Sequence, residues 1–385
     1  MLASLVVSTA FAALVVEVWV RARWDEKRGT PGLFLSDATR GQRLAAGYRG
    51  WFAGVPVEIN GLGFRDPRDY DLEKPPGTFR ILVLGDSVTF GHGAIFESTY
   101  PFLLEQRLEA WRPDVAWQVW NLGVPGYNTA AELAYLREVG PRYRPDLVIV
   151  GFFENDLTDN DRLSASPGPV ERIAASVQRV VQRHVYSFEF YKRAALTLRW
   201  QLRGDDFDRQ RLDHLGTEEA LLNQLDELAD HKLQRVSDDV DYFDQAAVDA
   251  FECVDAGGGP GRSALPEWAQ TAGYGAWLEA VRGFQRLHHE GRYRITFFLN
   301  MAPPPCVEYD RFYKGQGTLE FSDDLLRLMG EGTPAVSTAR AFLHYRPSQM
   351  PGAGGHSIGN TNRVKADVLF EFLRDHVLHD VRHLR

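Results

Sequence analysis

From Phe79 onward, short apolar runs alternate with longer stretches of helical period. Phe79-Arg80-Ile81-Leu82-Val83-Leu84 is apolar almost throughout and closes on Gly85-Asp86-Ser87. That is the form expected of a parallel strand, buried on both faces, that ends in a loop. Trp117 to Leu122, Asp146 to Phe153 and Tyr293 to Leu299 repeat it, and Thr333 to Ser337 predicts a short fifth strand. Residues 100–112, 128–140 and 360–378 read as helices, the last amphipathic. Strands alternating with helices in this way predict an open α/β sheet with right-handed crossovers.

Three stretches break the rhythm. Leu2 to Val20 is apolar except for small Ser and Thr residues and Glu17, long enough to cross a bilayer as a helix. No small-residue cleavage site follows, so residues 1–22 are expected to be an uncleaved membrane anchor. Arg21, Arg23, Lys27 and Arg28 follow this run and would keep the body cytoplasmic; basic residues hidden upstream of an internal start would reverse that. The expectation adopted is a single N-terminal anchor with an extracytoplasmic, periplasmic-side body. Residues 23–78 form an irregular, partly β lead-in ending at Pro75-Pro76-Gly77. Between about 160 and 275, helix-compatible stretches (170–202 and 217–235) flank acidic turns, which predicts a helical insertion in a domain running from 79 to 385.

With 44% hydrophobic and 25% charged residues among 385, the chain has a globular composition. Its formal charge of −9 lacks the basic footprint of a nucleic-acid binder. Residues 201–250 hold 14 Asp/Glu against 5 Lys/Arg, which accounts for the whole imbalance. Two cysteines, Cys253 and Cys306, exclude a disulfide framework and a Cys-rich zinc site; they pair once or not at all. The eleven histidines show no His-Glu-x-x-His spacing.

In an open α/β sheet, ligands collect at the carboxyl ends of the strands. Ser87 follows the first strand in Gly85-Asp86-Ser87-Val88-Thr89-Phe90-Gly91. There its hydroxyl is either exposed for chemistry or an ordinary helix N-cap. The second strand leads to Gly126, which can present an N–H or simply make a turn. The third ends in Gly151-Phe152-Phe153-Glu154-Asn155-Asp156, where Asn155 is an amide donor or loop punctuation. The weight lies in three such loops at one edge of one sheet.

These blocks resemble the SGNH hydrolase superfamily, the GDSL-type esterases and lipases, over about Phe79 to Asp156 and Tyr293 to Leu373. The resemblance implies a flavodoxin-like three-layer α/β/α sandwich with a parallel sheet, plus the helical insertion. It implies Ser87 as nucleophile and an oxyanion hole formed by the Ser87 N–H, the Gly126 N–H and the Asn155 side chain. Asn60-Gly61-Leu62-Gly63-Phe64-Arg65-Asp66 is similar to a bacterial branch whose members often carry an N-terminal membrane helix. The family's last block, Asp-x-x-His, corresponds here to Pro351-Gly352-Ala353-Gly354-Gly355-His356-Ser357. His356 carries over as the base, and His344 is less well placed. Ala353 and Gly354 stand where the carboxylate would be, and His92 is expected in a loop near the pocket.

Three readings of the missing acid stay open: a carboxylate or carbonyl from elsewhere, a Ser87–His356 dyad, or a degraded site kept for binding. The expected activity is hydrolysis of an acyl or acetyl ester through an acyl-enzyme, with no metal or organic cofactor. The alternatives are O-acyl transfer to a polysaccharide and a binding role in which the acidic insertion is the working surface. The expected partners are a small-molecule or carbohydrate ester and, through the N-terminal helix, a membrane. Phe90, Phe96, Tyr127, Phe152 and Phe153 line a pocket or belong to the core.

Overall fold

In the computed structural model of the chain, the described residues are 2–24, 29–37, 39–157, 177, 181, 184–203, 236, 263, 265–301, 318–345, 350, 352–353 and 356–379. The stretch 217–235 and both Cys253 and Cys306 lie outside them. Helix α1 (Leu2–Ala22) leads into two antiparallel hairpins: β1 (Phe34–Asp37) with β2 (Gly41–Leu44), and β3 (Arg49–Phe52) with β4 (Val55–Glu58).

A five-stranded parallel sheet follows, made of β5 (Thr78–Gly85), β6 (Ala116–Gly123), β7 (Leu147–Phe152), β8 (Ile295–Leu299) and β9 (Ala335–Ser337). Its order is β6-β5-β7-β8-β9, the flavodoxin-like order in which β5 lies between β6 and β7. Helices α2 (Ser87–Phe90), α3 (Tyr100–Trp111) and α4 (Thr129–Tyr143) follow β5 and β6.

All eight residues of β5 are buried, because both faces of the strand are covered. Ile81 and Val83 join a core with Leu104 and Leu108 of α3 and Ala366 and Leu369 of the C-terminal helix Asn360–Phe372. Leu82 and Leu84 join the opposite core with Leu136 of α4 and Trp277, Val281 and Phe284 of the helix Ala272–His289. Successive side chains alternate faces, so a continuous apolar run serves two cores. The sequence pattern placed all five strands; the helix Ala272–His289 is an addition to it.

The N-terminal run forms a helix, but among the described residues no helix is long and apolar enough to cross a membrane. This overturns the anchor, the membrane partner and the extracytoplasmic placement expected from sequence. The physical reason centres on Glu17. Its carboxylate accepts hydrogen bonds from the amides of Tyr186 and Ser187 (3.0 and 2.8 Å), from the Ser187 hydroxyl (2.6 Å) and from Arg21 (2.5 Å). Burial works against ionisation, yet these donors, Ser187 foremost, bring its pKa down to about 2. The last turns of α1 thus hold an ionised cap on the helix Ser187–Arg203, with Arg21 over the Tyr186 ring.

Candidate active site at the ends of the central strands

Three glycines end neighbouring strands in register: Gly85 pairs with Gly123 on one side and Gly151 on the other. The chain leaves β5 there and turns at once into α2. Asp86 caps this turn, accepting the Val88 amide at 2.8 Å, so Ser87 begins the helix rather than capping it. A Cβ on Gly123 would lie 2.7 Å from the Thr89 carbonyl carbon and 2.8 Å from the Phe90 Cα, both backbone. The small residue at the end of β6 is what lets α2 settle on the sheet edge.

The structure brings together the two residues that sequence reading put furthest apart. His356 Nε2 lies 2.8 Å from Ser87 Oγ across 269 residues of chain. It is His356, and not His344 in the turn Ala341–His344, that reaches the serine. His356 starts a two-residue strand, β11 (His356–Ser357), paired with β10 (Gly352–Ala353); Ala353 stands directly opposite it. Gly354 lies outside the described residues. Gly126, with φ of 79°, and Asn155, in the turn Glu154–Leu157, follow β6 and β7, the two neighbours of β5. Among the aromatics, Phe90, Tyr127 and Phe152 are core residues, while Phe96 and Phe153 are half-buried.

The lead-in contributes more than sequence suggested. Gln42 of β2 donates through its side-chain amide to the Pro125 carbonyl, and Tyr127 donates to the Gln42 carbonyl at 2.8 Å. The hairpin therefore braces the loop that carries Gly126. Phe52 of β3 sets its ring edge against Phe90 and His92. Arg65 is buried and donates to the carbonyls of Phe90 (2.8 Å), Gly91 (2.6 Å) and Ala94 (2.6 Å). Burial pulls its pKa down to about 9, against the opposing charge of Glu97. Asn60 in the same motif caps its own turn, accepting from the amides of Leu62 and Phe64. The Asn60-to-Asp66 motif is thus a brace under the loop that follows the serine.

The sequence model of the GDSL-like lipase/acylhydrolase family matches residues 83–257, from β5 through Ser87, Gly126 and Asn155. That stretch of the chain resembles the family. The chain is an ester hydrolase, although the matched stretch stops short of His356. Several solved structures are similar to it. The hydrolase LAE5 from the metagenome of Lake Arreo, Spain, is 15% identical, with 76% of this chain and 94% of that one covered and a TM-score of 0.37. A variant of the acetyl xylan esterase from Geobacillus stearothermophilus is 12% identical, at 77% and 94% coverage and a TM-score of 0.34. A GDSL-like lipase from Bacteroides thetaiotaomicron is 8% identical, at 77% and 89% coverage and a TM-score of 0.30. No curated protein matches the chain in sequence.

Beneath the esterase's serine lies a buried charge cluster that sequence reading missed: Asp86, Glu132, Asp156 and Lys365, none of them exposed to solvent. Lys365 sits in the C-terminal helix between Val364 and Ala366, so its helical position gave no warning. Burial raises the pKa of Asp86; hydrogen bonds from the Val88 amide and the Asn155 side chain, and the charge of Lys365, partly offset it. Burial, then the charges of Asp156 and Asp86, raise Glu132 well above the usual carboxylate range. Burial lowers Lys365 to about 7, with Asp86 opposing. Neither Glu132 carboxylate oxygen accepts a hydrogen bond from the described residues.

For Glu132 the folded state holds its proton above the unfolded value of 4.5, so its contribution to stability is full below that pH and is lost as pH rises. For Lys365 the folded pKa is the lower one, so the burial penalty is present below about 7 and relieved towards 10.5. Glu132→Gln should keep the shape and remove the acidic group. We expect it to raise stability at neutral pH by about 1–3 kcal/mol and to remove the decline that begins near the unfolded carboxylate pKa. Urea melts across a pH series check this; a variant that tracks wild type at every pH would contradict it.

Proposed function

We propose that this ester hydrolase acts through a Ser87–His356 acyl-enzyme cycle on a small-molecule or carbohydrate ester. The observation that carries the reading is the 2.8 Å contact between Ser87 Oγ and His356 Nε2, the geometry a general base needs to take a hydroxyl proton. In the first half, Ser87 Oγ gives its proton to His356 Nε2 as the Oγ–C bond forms, and the carbonyl π pair moves onto oxygen. Collapse of that oxyanion breaks the ester C–O bond, and the departing alkoxide takes the proton from His356. In the second half, water gives a proton to His356 as it attacks the acyl carbon, and Ser87 leaves with that proton.

The oxyanion seat in this reading consists of the Ser87 N–H, the Gly126 N–H and the Asn155 side chain. Their positions follow β5, β6 and β7, three adjacent strands, which supports their convergence on one oxyanion. The Asn155 side chain also donates to Asp86, and this fixes the amide before substrate arrives.

The test is a chain-length series of nitrophenyl esters, with wild type run beside Ser87→Ala and His356→Ala. Hydrolysis lost in both variants is the expected result, and the chain-length preference then narrows the acyl group. Hydrolysis that survives Ser87→Ala would remove the nucleophile from this reading.

A further inference from the structure

Position 353, which pairs with His356 across β10 and β11, is an alanine and supplies no carboxylate. A different group covers the imidazole. The His92 ring lies face-on to the His356 ring, with centroids 4.2 Å apart and planes within 19°. His92 is 7% exposed, and its ring also meets the edge of Phe52 at 4.9 Å. Its backbone is tied to the nucleophile turn, since the His92 amide donates to the Ser87 carbonyl at 3.0 Å. The flanking carbonyls of Gly91 and Ala94 are gripped by buried Arg65. The stacked ring is therefore held on the same turn that carries the serine.

We infer that His92 is a positioning residue for the base: its ring face holds the His356 imidazole in the plane that aims Nε2 at Ser87, and steadies the imidazolium formed when Ser87 gives up its proton. The inference rests on the Ser87–His356 reading above. A triad carboxylate has two tasks, orienting the imidazole and stabilising its cation. A stacked neutral imidazole performs the first through ring–ring packing and part of the second through its π face. A protonated His92 would do the opposite, placing a like charge at 4.2 Å and disfavouring the charged form of His356. Charged groups on the described elements around them include Asp86 at the head of α2, on which Lys365 acts, and Arg65 under the loop, on which Glu97 acts.

His92→Phe keeps a flat face and removes the titration, whereas His92→Leu removes the face. We expect His92→Leu to lower kcat about 10- to 30-fold with KM within about twofold. His92→Phe should keep kcat within about threefold. Its acid-side midpoint of kcat/KM should move up, because a neighbouring ring that can carry positive charge has gone. Equal losses in the two variants with an unmoved midpoint would reduce His92 to space-filling and overturn the inference, as would a fully active His92→Leu. Melting curves separate folding defects from catalytic ones, and should the leucine variant fail to fold, the midpoint of His92→Phe decides alone. Ser87→Ala in the same assay keeps the two readings apart: Ser87-independent hydrolysis sinks the acyl-enzyme cycle, while Ser87-dependent hydrolysis indifferent to His92 sinks only the stack.

Discussion

Ser87→Ala is expected to lower ester turnover by roughly 10⁴- to 10⁶-fold while leaving the fold in place. Oγ is the only atom removed, and the hydrogen bond it loses is the one to His356. A lost hydrogen bond of this kind costs about 1 kcal/mol of stability, a small part of what a core of this size supplies. Alanine also suits the first position of α2, since the cap comes from Asp86. His356→Ala should lose a comparable factor, and the double variant should be little worse than either single one, because a nucleophile without its base and a base without its nucleophile fail in the same step. Losses that multiplied in the double variant would show two residues acting separately and would break the proposed cycle. Steady-state kinetics on one nitrophenyl ester, with active sites counted by a fluorophosphonate label, measure all three.

Gly123→Ala is expected to have the second largest effect, and on both stability and activity. The added Cβ would meet the backbone of Thr89 and Phe90 at 2.7 and 2.8 Å, with the Phe90 amide nitrogen closer still. Backbone atoms cannot rotate away as a flexible side chain can, so α2 must lift from the sheet. Overpacking of this kind costs about 1–3 kcal/mol. Displacing a reacting group by about 1 Å costs roughly 10²-fold in rate, and α2 carries Ser87. Gly275→Ala in the helix Ala272–His289 is the control, since a Cβ there meets nothing within 4 Å. It should be neutral or stabilise by up to about 1 kcal/mol. Thermal melts and kcat for the two variants decide; a Gly123→Ala enzyme as active and stable as Gly275→Ala would refute the close-approach argument.

Much of this was legible in the linear pattern. A strand buried between two layers is apolar at most positions, so β5, β6, β7 and β8 announced themselves, and their loops fell at one edge of one sheet. Ser87, Gly126 and Asn155 were readable because each lies within a few residues of a strand end. His356 came from the family resemblance, which puts the base ahead of the last helix. The N-terminal run misled, because hydropathy along a chain does not show what a single Glu17 will bind. Its partners, Tyr186 and Ser187, lie about 170 residues away in sequence.

What tertiary structure alone decided are the relations between segments with no common local signal. Lys365 and Glu132 look like ordinary helical surface residues in sequence, and only the folded chain buries them both and lets each act on Asp86. The lead-in hairpins reach the site through Gln42, Phe52 and Arg65, and His92 meets His356 across 264 positions. Local periodicity fixes which face of a strand or helix is apolar, since that depends on neighbours one to four residues away. Which polar groups end up sharing one desolvated space depends on the crossing of distant elements, and therefore on the folded chain.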